Sequence, residues 1–287
     1  MISYVAILFA LLILVMALLW LLPSRLRRSR RARLLAKELP EVLSNILERN
    51  VRLYRNMPDD LKAELRGHVN VFLNEKRFRG CGGLEISDEI RVTIAGYACL
   101  LILQRDSDYF PGFSSILVYP DTYLVNEVTY DGVVEVERQD ARSGESWHRG
   151  PVVLSWQDVL ESLAEDNDGY NVVLHEFAHK LDEENGDMDG VPMLADSAHY
   201  KEWAEVLTRA YASYESPGKP ARPGHVPVLD EYAFTAPEEF FAVATETFFG
   251  KATELKAELP ELYEQLRRFY GVDPAAWTEV KPAKRPE

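Results

Sequence analysis

The sequence predicts an α+β domain with a small mixed sheet and one buried helix carrying polar side chains, preceded by a single N-terminal transmembrane helix. Three observations predict it. Residues 2–22 form an almost unbroken apolar run without charge, long enough to cross a bilayer as a helix. Between Ser115 and Trp156 lie short β-branched and aromatic runs bounded by Pro and Gly, which read as strands. On either side apolar residues recur at helical spacing, and one such segment contains His175-Glu176-Phe177-Ala178-His179.

The apolar run ends at Pro23-Ser24, and Arg25, Arg27, Arg28, Arg30, Arg31, Arg33 and Lys37 follow as a dense basic cluster. A cleaved signal peptide has its positive charge before the apolar core and a small-residue cleavage site after it. Here the charge comes after, so the run reads as an uncleaved anchor. The positive-inside rule then places everything downstream on the cytoplasmic face of a bacterial inner membrane, with the cluster at 25–37 against anionic headgroups. The expected organisation is a transmembrane anchor at 1–22, a basic juxtamembrane linker at 23–40, a folded domain at 41–277 and a flexible tail at 278–287.

The whole chain of 287 residues carries a net charge of −14. Residues 1–40 hold seven basic side chains against Glu38, which leaves about −20 on the rest. A domain that acidic lacks the basic face that phosphate binding requires, so nucleic acid is excluded as a partner. The two cysteines, Cys81 and Cys99, sit in no metal-site or redox spacing and suggest no disulfide framework.

Along the chain, residues 31–66 read as helical with breaks at Pro40 and Pro58. The acidic pair Asp59-Asp60 suits a helix start. That helix is expected to continue through Phe78 and to break at Gly80-Cys81-Gly82-Gly83. Another helix spans about 88–104. Ser115–Tyr119 is a strand, and two further strands flank an Asp131-Gly132 turn. Val152–Trp156 is a core strand or, alternatively, an edge that aligns an extended peptide by β-augmentation. A short helix follows around Asp158–Ala164. Residues 215–229 form a Pro/Gly-rich loop, and the tail after Trp277 is loose.

The H-E-x-x-H segment belongs on a helix. Asp168 is a suitable N-cap, Val172, Val173, Phe177, Ala178 and Leu181 make an apolar stripe, and Asn185-Gly186 ends it. On such a helix His175 and His179 lie one turn apart on one face and offer two imidazoles to one zinc ion. Glu176 stands beside them, placed to act on water and not on the metal. A catalytic site needs a third protein ligand. A His at position 185 would provide one, but that residue is Asn185. The remaining source is a later helix, Thr235–Glu246, opened by a Thr235/Glu238 capping box and Pro237. Glu239 and Glu246 project from one side of it, seven residues apart. One can ligate the metal, and the other can hydrogen-bond a ligating His and fix its tautomer. Spacing alone does not say which.

HEFAHKLD, followed by LDEYAFTAPEEFFAVATETFF, resembles the MtfA-type zinc peptidase family, as do GHVNVFLNEKRFRGCGGLEISDE, SILVYP and SGESWHRGPVVLSW. The resemblance covers most of residues 40–277. These are bacterial metallopeptidases of the HExxH-plus-Glu, gluzincin-like kind, similar in catalytic-domain fold to the anthrax lethal factor protease. The resemblance implies a zincin-like domain that binds Zn2+ and hydrolyses peptide bonds of a peptide or protein substrate. Its P-x-E-x-F-A-V pattern falls on Pro237, Glu239, Phe241, Ala242 and Val243, which implies Glu239 as third ligand, and it places Tyr232 at the active site. An N-terminal anchor departs from the best-known members, which are soluble. The rival reading is a membrane-tethered regulatory or binding protein with a non-catalytic zinc site and an unspecified protein partner.

Overall fold

The computed structural model describes residues 4–121, 123–131, 134–142, 144–146, 150–163, 169–212, 214–216, 219–220 and 227–277. Helix α1 (Tyr4–Leu35) is followed by α2 (Glu41–Asn50), α3 (Arg52–Asn56) and α4 (Asp59–Glu75). Pro40 and Pro58 stand at the N-caps of α2 and α4, at the expected breaks. Helix α4 stops earlier than its apolar pattern suggests, and strand β1 (Arg77–Gly80) takes up Phe78. A short apolar run fits either element, and pairing with a neighbouring strand decides it here. Helix α5 (Asp88–Leu100) is capped by Ser87 and buried from Val92 to Leu100.

Strands β2 (Ser115–Tyr119), β3 (Tyr123–Asp131), β4 (Val134–Arg142), β5 (Gly144–Ser146) and β6 (Val152–Ser155) come next. Strands β3 and β4 pair antiparallel from Tyr123↔Arg142 to Asp131↔Val134. Gly132 of the expected turn lies outside the described residues. The main sheet is mixed, in the order β1-β2-β6-β5. Strands β1, β2 and β6 are parallel, with Ile116 opposite both Phe78 and Val152, and β5 closes the sheet antiparallel to β6. Strand β6 is buried throughout, as suits a strand with neighbours on both sides. Val152–Ser155 is thus the core strand of the two expectations, and β1 and β5 are the edges.

Helix α6 (Trp156–Glu161) leads towards α7 (Val172–Asp182), which carries the H-E-x-x-H residues. Then come α8 (Ser197–Ala212), a small antiparallel pair β7 (Tyr214–Ser216) and β8 (Lys219–Pro220), α9 (Pro237–Gly250), α10 (Ala252–Glu258) and α11 (Pro260–Tyr270). Helix α7 packs against α9, α5 and strands β5 and β6. Its Phe177 joins Phe72, Phe110 and Phe113 in one aromatic cluster, with ring centroids 5.0 Å from Phe110 and 5.8 Å from the other two. On the far side of α9, Phe241 meets Trp203 and Phe269 at 5.9 and 5.8 Å. The two helices bearing the candidate ligands are thus fixed between two aromatic clusters.

The N-terminal expectation needs correction. Among the described residues no helix is long and apolar enough to cross a membrane. The single-pass inner-membrane anchor, and with it the lipid contacts expected of residues 2–22 and 25–37, is not supported. Helix α1 does not end at Pro23 but runs on through the arginines to Leu35, and its basic half is held by the folded domain. Arg27 pairs with Asp108 at 2.8 Å, and Arg31 reaches Glu75 at 2.7 Å as well as Asp108. Arg31 also lies over the Tyr109 ring, 4.7 Å from its centroid. Both arginines are paired with carboxylates of the folded domain.

Candidate metal centre

Helix α7 begins at Val172 because Asn171 caps it, its Oδ1 accepting from the Leu174 N–H at 2.9 Å. The expected cap, Asp168, lies outside the described residues. Asn171 directly precedes the apolar run, and the N-cap rule applied to that boundary would have found it. Val172, Val173, Phe177, Ala178 and Leu181 are buried as expected. The helix gives way to a 3-10 turn at Glu183–Asn185 and stops at Gly186, which adopts φ 104°.

Four-residue spacing brings the His175 and His179 rings to 4.8 Å between centroids, nearly perpendicular, with their Nε2 atoms 3.1 Å apart. Helix α9 supplies the third group. Pro237 occupies its first turn as expected. The Thr235/Glu238 capping box does not form: the N-cap is Ala236, without a side-chain cap, and the Thr235 hydroxyl donates to the Tyr232 carbonyl at 2.7 Å. Glu239 extends from that first turn to the histidines, with Oε2 3.0 Å from His175 Nε2 and 3.5 Å from His179 Nε2.

Glu246, two turns further on, meets the other side of the same imidazole. Its Oε1 lies 2.7 Å from His175 Nδ1, and its Oε2 accepts from the Asn171 backbone N–H at 2.5 Å. It is buried. Glu176 is buried in α7 next to His175. Tyr232 stands on the 3-10 turn Glu231–Phe234, which Asp230 caps, and its ring lies 6.0 Å from the His175 ring. The structure thus brings together all six residues singled out from the sequence. His68 is engaged elsewhere with the Tyr109 hydroxyl at 2.7 Å, His199 is buried near Trp203, and His148 and His225 lie outside the described residues. Cys81 and Cys99 are both free thiols.

A family model described as glucose-regulated metallo-peptidase M90 matches residues 25–271. The chain belongs to this family. An uncharacterized protein of Synechocystis sp. is 38% identical over 85% of this chain and 89% of its own length. Proteins named Mlc titration factor A are also similar. The one from Cronobacter sakazakii is 32% identical over 78% of this chain and 84% of its own length. The one from Klebsiella pneumoniae is 35% identical over 71% and 77%. The MtfA-type resemblance read from the sequence is therefore borne out.

Membership of a metallopeptidase family implies a divalent metal, and the three converging atoms fit one. Tetrahedral zinc with bonds of 2.0–2.1 Å separates its ligand atoms by about 3.3 Å. The separations here are 3.0, 3.1 and 3.5 Å. Glu239 Oε2 is buried and, despite this crowding, has no hydrogen bond among the described residues. A buried carboxylate oxygen crowded by two imidazole nitrogens without a hydrogen bond of its own suits a cation better than a proton network. The electrostatics agree. Burial works against a charged His175, yet the carboxylates of Glu239 and Glu246 outweigh it and push its pKa well above the ordinary value. Burial likewise raises Glu239, but the two imidazoles hold it down to about 2. A cluster that attracts positive charge so strongly is primed for a divalent ion.

Proposed function

We propose that this chain is a zinc-dependent peptidase in which His175, His179 and Glu239 hold the metal and Glu176 is the general base. The observation that carries the reading is the convergence of His175 Nε2, His179 Nε2 and Glu239 Oε2 within 3.5 Å of one another, with Glu176 on the same helix. Zinc in such a site supplies Lewis acidity, lowering the pKa of water towards about 7 and polarising a carbonyl.

The chain's own residues do the rest. Glu246 accepts the Nδ1 proton of His175, which leaves Nε2 as the ligating nitrogen and locks the ring. Glu176 takes the proton of the attacking water and later delivers it to the departing amine. Tyr232 donates its hydroxyl to the carbonyl oxygen as that oxygen becomes negative. Strand β5, the edge of the sheet that packs against α7, offers its outer backbone groups to an extended peptide. The proposed catalytic domain is residues 41–277, followed by a tail at 278–287.

Glu176→Gln tests this. It preserves shape and removes the base, so zinc should stay bound at one per chain while hydrolysis of a mixed peptide library falls by at least about 10²–10⁴-fold. Undiminished hydrolysis would sink the assignment of Glu176. The relatives' name, Mlc titration factor A, favours a second reading, in which the chain binds a regulatory protein and its metal site is not catalytic. A zinc-loaded wild type that cleaves nothing in the library yet captures such a protein would favour it.

A further inference from the structure

We infer that Asp182 is a positioning residue of the metal centre: it orients His179 through the second ring nitrogen and sets the distance to Glu239 through the backbone of Gly190. The inference rests on the metal-site reading above.

Asp182 is the last residue of α7, three after His179, so the two side chains lie on neighbouring positions of one helix face. Its side chain is fully buried. A carboxylate in the interior is costly unless its oxygens are hydrogen-bonded. Oδ2 accepts from the Gly190 N–H at 2.8 Å. Oδ1 is buried and has no hydrogen bond among the described residues, and the same is true of His179 Nδ1. An imidazole that ligates through Nε2 carries its proton on Nδ1 and must donate it. For His175 the acceptor is Glu246. For His179 the unmatched oxygen of Asp182, one turn along the same helix, is the complementary group. Burial pushes the Asp182 carboxyl up to about 6, with the Gly190 N–H and the neighbouring His179 pulling against it.

The other oxygen grips a residue that touches the third ligand's helix. Gly190 has φ 79°, and a Cβ built there would stand 2.3 Å from the Pro237 carbonyl oxygen. Only glycine permits that approach. Pro237 begins α9 two residues before Glu239. The Gly190 carbonyl is held in turn by Trp203 Nε1 at 3.3 Å. Gripping Gly190 therefore fixes α7 against the start of α9, and with it the two histidines against Glu239.

The test uses the full chain, zinc titrated in competition with a chromophoric chelator, and ring-¹⁵N-histidine spectra of the zinc-loaded protein. Wild type should bind one zinc. Asp182→Asn keeps the shape but offers one acceptor where two donors need one, so it and Asp182→Ala should bind zinc about 10–100-fold more weakly. The Asn variant should also shift the His179 Nδ1–H resonance and leave that of His175 in place, whereas Glu246→Gln should do the reverse. A purely structural Asp182 would lower the melting temperature without this selectivity. If Asp182→Ala does not fold, the isosteric Asn variant decides. Wild-type zinc affinity with an unmoved His179 resonance in that variant overturns the inference while leaving the metal site intact. A wild type that binds no zinc overturns the metal-site reading and this inference with it.

Discussion

Tyr232 differs from the rest of the cluster in its exposure: it is 50% exposed, whereas Glu176, His179 and Glu246 are each 5% or less. An aromatic ring left half in solvent on a turn gains little from burial. Its ring lies beside that of His175, and in the role proposed for it the hydroxyl would meet a substrate carbonyl. Tyr232→Phe should therefore lower kcat by about 10²–10³-fold while leaving KM and zinc content near wild type. Steady-state kinetics checks this, and an unchanged kcat would reduce the residue to a loop cap. The histidine pair was legible because helix periodicity alone carries it. Glu239 and Glu246 were legible as a pair and not as individuals, because they share a helix face. What separates them is which imidazole nitrogen each one meets, and that is set by the placement of α9 on α7. Asp182 was only faintly legible: a carboxylate at a helix C-terminus opposes the helix dipole, which marks it as unusual without giving it a role, and only the fold of residues 183–190 back over it makes it a buried group.

Two contacts at the start of α7 have separable effects: one caps the helix and the other ties it to α9. At the N-terminus of α7, the Asn171 side chain caps the helix while its backbone N–H donates to Glu246. Asn171→Ala removes the cap and keeps the backbone donor. It should cost about 1 kcal/mol of stability in urea unfolding and leave zinc affinity unchanged. Glu246→Gln should do the opposite, with a small effect on the zinc-free protein and zinc affinity weakened about 10–100-fold. Equal losses of affinity in both variants would mean that the cap and the ligand shell are one unit. The helices themselves were readable from periodicity, but their caps were not. Thr235 had a reader's capping box available, yet its hydroxyl is taken by the Tyr232 carbonyl, because the preceding turn folds back on itself. Short-range competition of this kind among Ser, Thr, Asn and Asp for nearby backbone groups is what sequence rules for caps cannot rank.

Across the whole molecule, α1 and α7 are linked through residues 107–113. Tyr109 and Phe110 both lie in the left-handed region, at φ 58° and 54°, a conformation costing on the order of 1–3 kcal/mol for each such residue. Long-range contacts hold them there. Arg31 from α1 lies over Tyr109 and binds Asp108, His68 meets the Tyr109 hydroxyl, and Lys76 Nζ donates to the carbonyls of Phe110 at 2.7 Å and Phe113 at 2.6 Å. The loop so held presses Phe110 and Phe113 onto Phe177. None of this was visible in the sequence, since Arg31 and Asp108 are 77 residues apart and their charges read as separate solvated groups. Lys76 gives the arrangement a pH signature. Burial draws its pKa from 10.5 down to about 8, against the opposing pull of Glu75. Between those values the unfolded chain binds the extra proton and the folded chain does not, so this group's contribution to stability rises with pH. From pH 8 to pH 10 the gain should be about 2 kcal/mol. Lys76→Met removes the titrating group, and subtracting its urea-unfolding curve from that of wild type cancels the tyrosines that titrate in the same range. A difference that stays flat across pH 8–10 would mean that Lys76 keeps its charge in the fold, held by the two carbonyls strongly enough to offset burial.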